Sequence, residues 1–131
     1  DSDRDVLDVL GLIQRVYSVD ENRTCLMGHS MGGAGTVRLG FENAERFAAV
    51  ATIAGYGSVE DLAKAPEMPL FMAQGGEDAL VPVESARAFY EAAQELGMAN
   101  LEYVENPGTG HVGIVAEVMA QAFDWFDSHS R

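Results

Sequence analysis

The stretch TCLMGHSMGG, residues 24 to 33, places a serine between glycines at the end of an apolar run. The run up to Gly28 predicts a buried strand and the residues from Met31 onward predict a helix, so Ser30 stands at a very sharp turn. Gly28 and Gly32 are expected to let the strand and the helix approach without clashes between Cβ atoms. The pattern is typical of an exposed, strained serine in front of a helix N-terminus, and a glycine-rich turn without chemistry is the alternative.

The composition describes an acidic chain of one domain. The 131 residues predict a single domain over 1–131, and an apolar fraction of 47% is enough for a core. With 8 basic and 21 acidic side chains the net charge is −13, which argues against nucleic acid and anionic membrane surfaces as partners. No apolar run is as long as a membrane helix, and the single cysteine, Cys25, cannot form an internal disulfide. We therefore expect a soluble protein, either cytoplasmic or secreted after processing, with the compartment left open.

Apolar runs and helical periods alternate along the chain. Four apolar runs predict strands, at residues 24–28, 48–54, 69–74 and 101–105. Helical patterns stand before, between and after them, including those at 3–17, 82–97 and 112–129. This alternation predicts an α/β fold in which four parallel strands lie in sequential order with helices on both faces.

Polar side chains that could activate Ser30 follow other strands of the predicted sheet. A serine hydroxyl is a weak nucleophile unless a histidine takes its proton and a carboxylate holds that histidine. Asp78 follows the third predicted strand and His111 follows the fourth. Because ligands bind at the carboxyl ends of parallel strands, we expect the three side chains to lie together there, with His111 hydrogen-bonded to the other two. The chain order Ser, Asp, His is that of one class of serine hydrolases.

Other residues compete for these roles. Glu77 is a rival for the acid, but Asp78 and not Glu77 begins the motif D-x-x-V-P at residues 78–82. His29 is the second residue of the turn motif, and we expect its side chain to point away from the serine. His129 lies in a polar tail and is expected to be solvated.

Three stretches together resemble the C-terminal part of α/β-hydrolases, close to esterases of the polyhydroxybutyrate-depolymerase-like, feruloyl-esterase-like and prolyl-oligopeptidase-like groups. They are VDENRTCLMGHSMGGAGTVRLGFENAERFAAVATIAG, QGGEDALVPVESARAFYEAAQELG and ENPGTGH, and the resemblance extends over essentially the whole chain. The second stretch is similar to the acid loop H-G-x-x-D-x-x-V-P of these proteins, with Gln74 in place of the usual histidine.

The resemblance implies a serine esterase that needs no metal and no organic cofactor. It implies that Ser30 is the nucleophile, Asp78 the orienting acid and His111 the general base. The N–H of Met31 is implied as one oxyanion-hole donor. We expect a small-molecule ester with a short or otherwise accessible acyl group, because the stretch 56–68 is too short for a lid. A peptidase of the same superfamily and a non-catalytic half-domain that assembles with another chain are the alternatives.

The chain departs from the resembled hydrolases ahead of the serine. Those proteins have several strands before the nucleophile strand, and a loop there, often with an H-G-G-type stretch, supplies the second oxyanion donor. Here one predicted helix precedes residue 24, so we expect a truncated α/β-hydrolase fold with residues 24–28 at the edge of the sheet. An apolar edge favours pairing with another chain, which predicts a homodimer through residues 3–17 and this strand.

Overall fold

A single parallel sheet organises the chain, in a computed structural model that describes residues 2–131. Its four strands lie in the order β1-β2-β3-β4, with the bounds Cys25–His29, Ala49–Ile53, Leu70–Gly75 and Leu101–Asn106. Every neighbouring pair is parallel. The predicted sequential parallel order is confirmed, and the strand bounds differ from the predicted ones by one residue at most.

Within residues 2–131, five α-helices surround the sheet: α1 (Ser2–Val16), α2 (Met31–Glu42), α3 (Val59–Leu62), α4 (Val83–Glu95) and α5 (Gly113–Asp127). Two 3₁₀ turns complete the order, at Glu21–Arg23 and Ala44–Arg46. No helix within residues 2–131 is long and apolar enough to cross a membrane.

The helices cover the two faces of the sheet unequally. Side chains of α2, α3 and α4 share one apolar cluster with inner positions of β2 and β3, whereas α5 packs on the opposite face. A constant crossover handedness puts every connecting helix on the same face when the strands are in sequential order. Helices on both faces are therefore confirmed, with α5 alone covering the second face.

Strands β2 and β3 form the centre of the core. Every residue of both strands is buried, because each strand has neighbours on both edges and helices on both faces. Since all strands run in one direction, their carboxyl ends meet at one edge of the sheet, where His29, Ile53, Gly75 and Asn106 are the last strand residues. Polar loop residues that follow these ends are brought together there.

Helix α1 and the outer edge of β1 leave apolar surface exposed. Within the described residues, β1 pairs with β2 alone. A groove of about 560 Å³ lies between α1, β1 and α2. Leu7 and Leu10 of α1 pack against the core, but a row of apolar side chains on and just after the helix is exposed: Val6, Val9, Leu12, Ile13, Val16 and Tyr17. This surface is of the kind that a second copy would cover.

The homodimer through α1 and β1 stays a prediction. We expect light scattering after size-exclusion chromatography at micromolar concentration to give twice the monomer mass of 14.1 kDa. Val9→Glu should shift the protein to the monomer, because it places a charge in the proposed contact. Leu96→Glu, a matched change of an exposed leucine at the end of α4, should leave the mass unchanged. A monomer in the unmodified chain would contradict the prediction.

Candidate active site

Ser30 occupies a strained turn between β1 and α2. Its backbone has φ 58° and ψ −122°, a left-handed conformation that costs a non-glycine residue about 1–3 kcal/mol. The end of β2 holds this turn, because the Ser30 N–H donates to the Ile53 carbonyl at 2.9 Å. Gly55 lies so close that an added Cβ atom would stand 2.7 Å from the Ser30 carbonyl oxygen. These contacts with β2 and with the residues that follow it fix the conformation of the predicted strand-to-helix turn.

Two glycines allow α2 to approach the sheet at this turn, but they are not the two that the motif predicted. A Cβ atom on Gly28 would stand 2.2 Å from the Gly32 carbonyl oxygen and 2.5 Å from Thr36 Oγ1, so glycine is required there. A Cβ atom on Gly32 would meet no atom within 4 Å, and the close-approach role predicted for Gly32 is wrong. Gly33 instead lets α2 approach β2, because its Cβ atom would stand 2.6 Å from Thr52 Oγ1.

The structure brings Ser30, His111 and Asp78 into one chain of hydrogen bonds. His111 Nε2 lies 2.9 Å from Ser30 Oγ, and His111 Nδ1 lies 2.7 Å from Asp78 Oδ2. An ionised carboxylate only accepts, so Nδ1 carries the proton and Nε2 is the acceptor for the serine hydroxyl. The His111 side chain is 11% exposed and the Asp78 side chain is fully buried, which shields the chain of bonds from solvent.

Four donors surround the Asp78 carboxylate. Oδ1 accepts from the Leu80 and Val81 N–H groups at 2.9 and 2.8 Å, and Oδ2 accepts from His111 and from Gln74 Nε2 at 2.9 Å. Burial alone would raise the pKa of Asp78, but the donors, Val81 first, hold that pKa below its usual value. The carboxylate is therefore ionised at neutral pH and can stabilise a protonated His111.

The rival acid has a different environment. The Glu77 side chain is exposed, and the Glu77 N–H donates to the Thr109 carbonyl at 3.0 Å, which ties the acid loop to the loop that carries His111. The Thr109 hydroxyl in turn donates to the Glu117 carboxylate of α5 at 2.8 Å. Asn106 donates to the same carboxylate. Glu77 and Glu117 thus contribute to the loop framework and not to the hydrogen bond on His111 Nδ1.

The other two histidines each make a hydrogen bond that the sequence did not predict. His29 Nε2 donates to the His111 carbonyl at 2.9 Å, and the centroids of the two rings are 4.7 Å apart. His129, expected to be solvated, is half-buried; its Nδ1 donates to the Trp125 carbonyl at 2.7 Å and its ring lies 4.3 Å from the Trp125 ring. His29 is therefore part of the site, and His129 belongs to the end of α5.

Met31 begins α2 directly after Ser30. The first N–H groups of a helix have no acceptor within the helix, so the Met31 N–H is available to a developing negative charge beside Ser30. Within residues 2–131, no group of three His, Cys, Asp or Glu side chains is placed to hold a metal ion. The Met31 N–H suits an acyl oxygen that becomes negative during attack by Ser30.

The PET hydrolase-like family matches residues 13–123, which is most of the chain. The chain belongs to the PET hydrolase-like family. A search of curated proteins found no match to this sequence. The family match confirms the resemblance to α/β-hydrolases that the sequence motifs indicated.

Solved structures of α/β-hydrolases are similar to this PET hydrolase-like chain. A thermostable esterase is 28% identical with a TM-score of 0.85, over 96% of this chain and 36% of that protein. S-formylglutathione hydrolase from Staphylococcus aureus is 17% identical with a TM-score of 0.78, over 92% and 58%. An acylaminoacyl peptidase from Pyrococcus horikoshii is 16% identical with a TM-score of 0.77, over 95% and 27%. The chain thus spans between 27% and 58% of the lengths of these proteins, and its α/β-hydrolase fold is confirmed.

Proposed function

We propose that this PET hydrolase-like chain hydrolyses accessible carboxylic esters, with Ser30 as nucleophile, His111 as general base and Asp78 as orienting acid. The observation that carries the proposal is the pair of hydrogen bonds, 2.9 Å from His111 Nε2 to Ser30 Oγ and 2.7 Å from Nδ1 to Asp78 Oδ2, at a strained strand-to-helix turn. Strain at such a turn is typical of a functional serine, because it exposes the hydroxyl at the edge of the sheet.

The reaction proceeds through an acyl-enzyme. Ser30 Oγ attacks the acyl carbon while His111 Nε2 takes the hydroxyl proton, and the carbonyl oxygen becomes an oxyanion beside the Met31 N–H. The C–O bond to the leaving alcohol then breaks, and His111 returns the proton to that alcohol. A water molecule then attacks the acyl carbon of the acyl-serine while His111 takes a proton from it. The bond to Ser30 Oγ breaks, His111 returns the proton to Ser30, and the carboxylic acid is released. Asp78 holds the imidazole in the reactive tautomer and stabilises the imidazolium in both steps.

The surroundings of Ser30 favour an uncharged ester with an accessible acyl group. Four apolar side chains follow the ends of the strands, one as the first residue of α2 and the others in the loops after β2, β3 and β4, and they are exposed to solvent: Met31 by 88%, Tyr56 by 43%, Leu80 by 74% and Val112 by 72%. These exposed side chains offer an apolar surface at the edge of the sheet that carries Ser30. The net charge of −13 disfavours anionic substrates.

The proposal is tested with p-nitrophenyl acetate and p-nitroacetanilide, which carry the same acyl group on an alcohol and on an amine. We expect the ester to give p-nitrophenol with an initial burst of up to one equivalent, because the acyl-enzyme accumulates when its hydrolysis is slow. Mass spectrometry of the quenched protein should place the acetyl group on the peptide that contains Ser30. The anilide should react far more slowly, because an aniline anion leaves less readily than a phenolate.

Each result has a clear meaning for the alternatives. Acylation of a peptide without Ser30 would contradict the proposed nucleophile. Comparable rates on the ester and the anilide would favour a peptidase. If the protein shows no turnover and no acylation, the result would favour a non-catalytic domain.

A further inference from the structure

A buried amide contacts the same carboxylate oxygen as His111. Gln74 lies near the end of β3 and is fully buried, the one amide side chain among the core positions of that strand. Its Nε2 donates to Asp78 Oδ2 at 2.9 Å and to the Val81 carbonyl at 3.0 Å. These two bonds connect the strand to the middle and to the end of the acid loop.

The orientation of this amide is fixed by what it faces. Turned the other way, Gln74 would place Oε1 against Asp78 Oδ2 and the Val81 carbonyl, and both of these groups only accept. In the observed orientation Oε1 is buried and finds no donor in the part of the chain that the structure describes. A buried acceptor without a donor is unfavourable, so the contacts on Nε2 determine the side-chain orientation.

We propose that Gln74 is a positioning residue for Asp78, an inference that rests on the proposed function. The Leu80 and Val81 N–H groups hold only Oδ1, and an anchor on one oxygen leaves the carboxylate free to tilt. Gln74 fixes Oδ2, the oxygen that receives the His111 Nδ1–H. Because an amide does not titrate, it holds the carboxylate in line with the imidazole at every pH at which the protein is folded.

Gln74→Met tests the role, since methionine has nearly the same shape and no donor. We expect kcat on p-nitrophenyl acetate to fall about 10-fold, the effect of losing one hydrogen bond to a charged group. KM should stay within a factor of two, because Gln74 is buried away from substrate. Gln74→His, which keeps an N–H donor, should retain more activity than Gln74→Met. Met72→Val is the matched control: Met72 is a buried core residue two positions earlier on β3.

The proton on His111 Nδ1 provides a readout that needs no turnover. Its low-field NMR resonance reports the hydrogen bond to Asp78, and we expect the resonance to shift in Gln74→Met and to stay in place in Met72→Val. Loss of kcat with an unchanged melting temperature would separate positioning from a loss of stability. An unchanged resonance and unchanged kcat in Gln74→Met would overturn the inference. Absence of turnover in the unmodified chain would count against the proposed function alone, because the resonance would still test Gln74.

Discussion

Ser30→Ala and His111→Ala are each expected to lower kcat for ester hydrolysis by about 10⁵–10⁶-fold, and the double variant to lower it no further. The hydroxyl and the imidazole share one hydrogen bond of 2.9 Å, so removal of either ends proton transfer from the nucleophile. A nucleophile without a base and a base without a nucleophile are equally inactive. The measurement is the steady-state rate on p-nitrophenyl acetate, together with acylation of the Ser30 peptide.

Two matched variants control for general effects of removing a serine or a histidine. Ser58→Ala removes the side-chain cap of α3, which costs about 1 kcal/mol of stability, and should leave kcat unchanged. His129→Ala removes the contact with Trp125 at the end of α5 and should also leave kcat unchanged. Substantial turnover in Ser30→Ala, measured on protein with an unchanged melting temperature, would mean that the chemistry lies elsewhere.

Much of the fold could be predicted because its central strands have unambiguous sequences. The run FAAVATIAG contains β2 and PLFMAQG contains β3, and each strand is buried on both faces, so its sequence is apolar without alternation. The turn at Ser30 was equally clear, since a strand that runs directly into a helix leaves few conformations for the residue between them. Helical periodicity could not predict which face of the sheet each helix covers, because that depends on the strand order and on the handedness of the crossover connections.

The sequence placed Ser30, Asp78 and His111 at one edge of the sheet, but it could not show what surrounds them. His111 follows β4, which lies at the opposite end of the strand order from β1, so its contact with His29 depends on how far one loop reaches. Gln74 was visible only as a difference from the resembled acid loop, and its bond to Asp78 needs the rotamer of a buried side chain. Contacts between loops of distant strands are set by the assembled fold and leave no local pattern.

Asp78→Asn is expected to lower kcat by about 10⁴-fold while the loop around it stays folded. Asparagine keeps an Oδ1 that accepts from the Leu80 and Val81 N–H groups. Its Nδ2 stands in the place of Oδ2 and only donates, so it cannot accept from His111 Nδ1–H or from Gln74 Nε2, and the imidazole takes the other tautomer and presents Nε2–H to the serine. In that tautomer it can no longer take the Ser30 proton. The steady-state rate on p-nitrophenyl acetate measures the loss.

The control is Glu77→Gln. It removes the same charge from an exposed side chain that lies one residue before Asp78. It should leave kcat unchanged within a factor of two, whereas equal losses in both variants would contradict the assignment of the acid.

Stability offers a second readout. Because the folded state lowers the pKa of Asp78, its charged hydrogen bonds stabilise the fold above the ordinary carboxyl pKa of about 3.9, and this contribution is lost as the pH falls below it. The difference in unfolding free energy between the unmodified chain and Asp78→Asn should therefore shrink as the pH falls, and a difference that grows would contradict the charged, four-donor environment of this carboxylate.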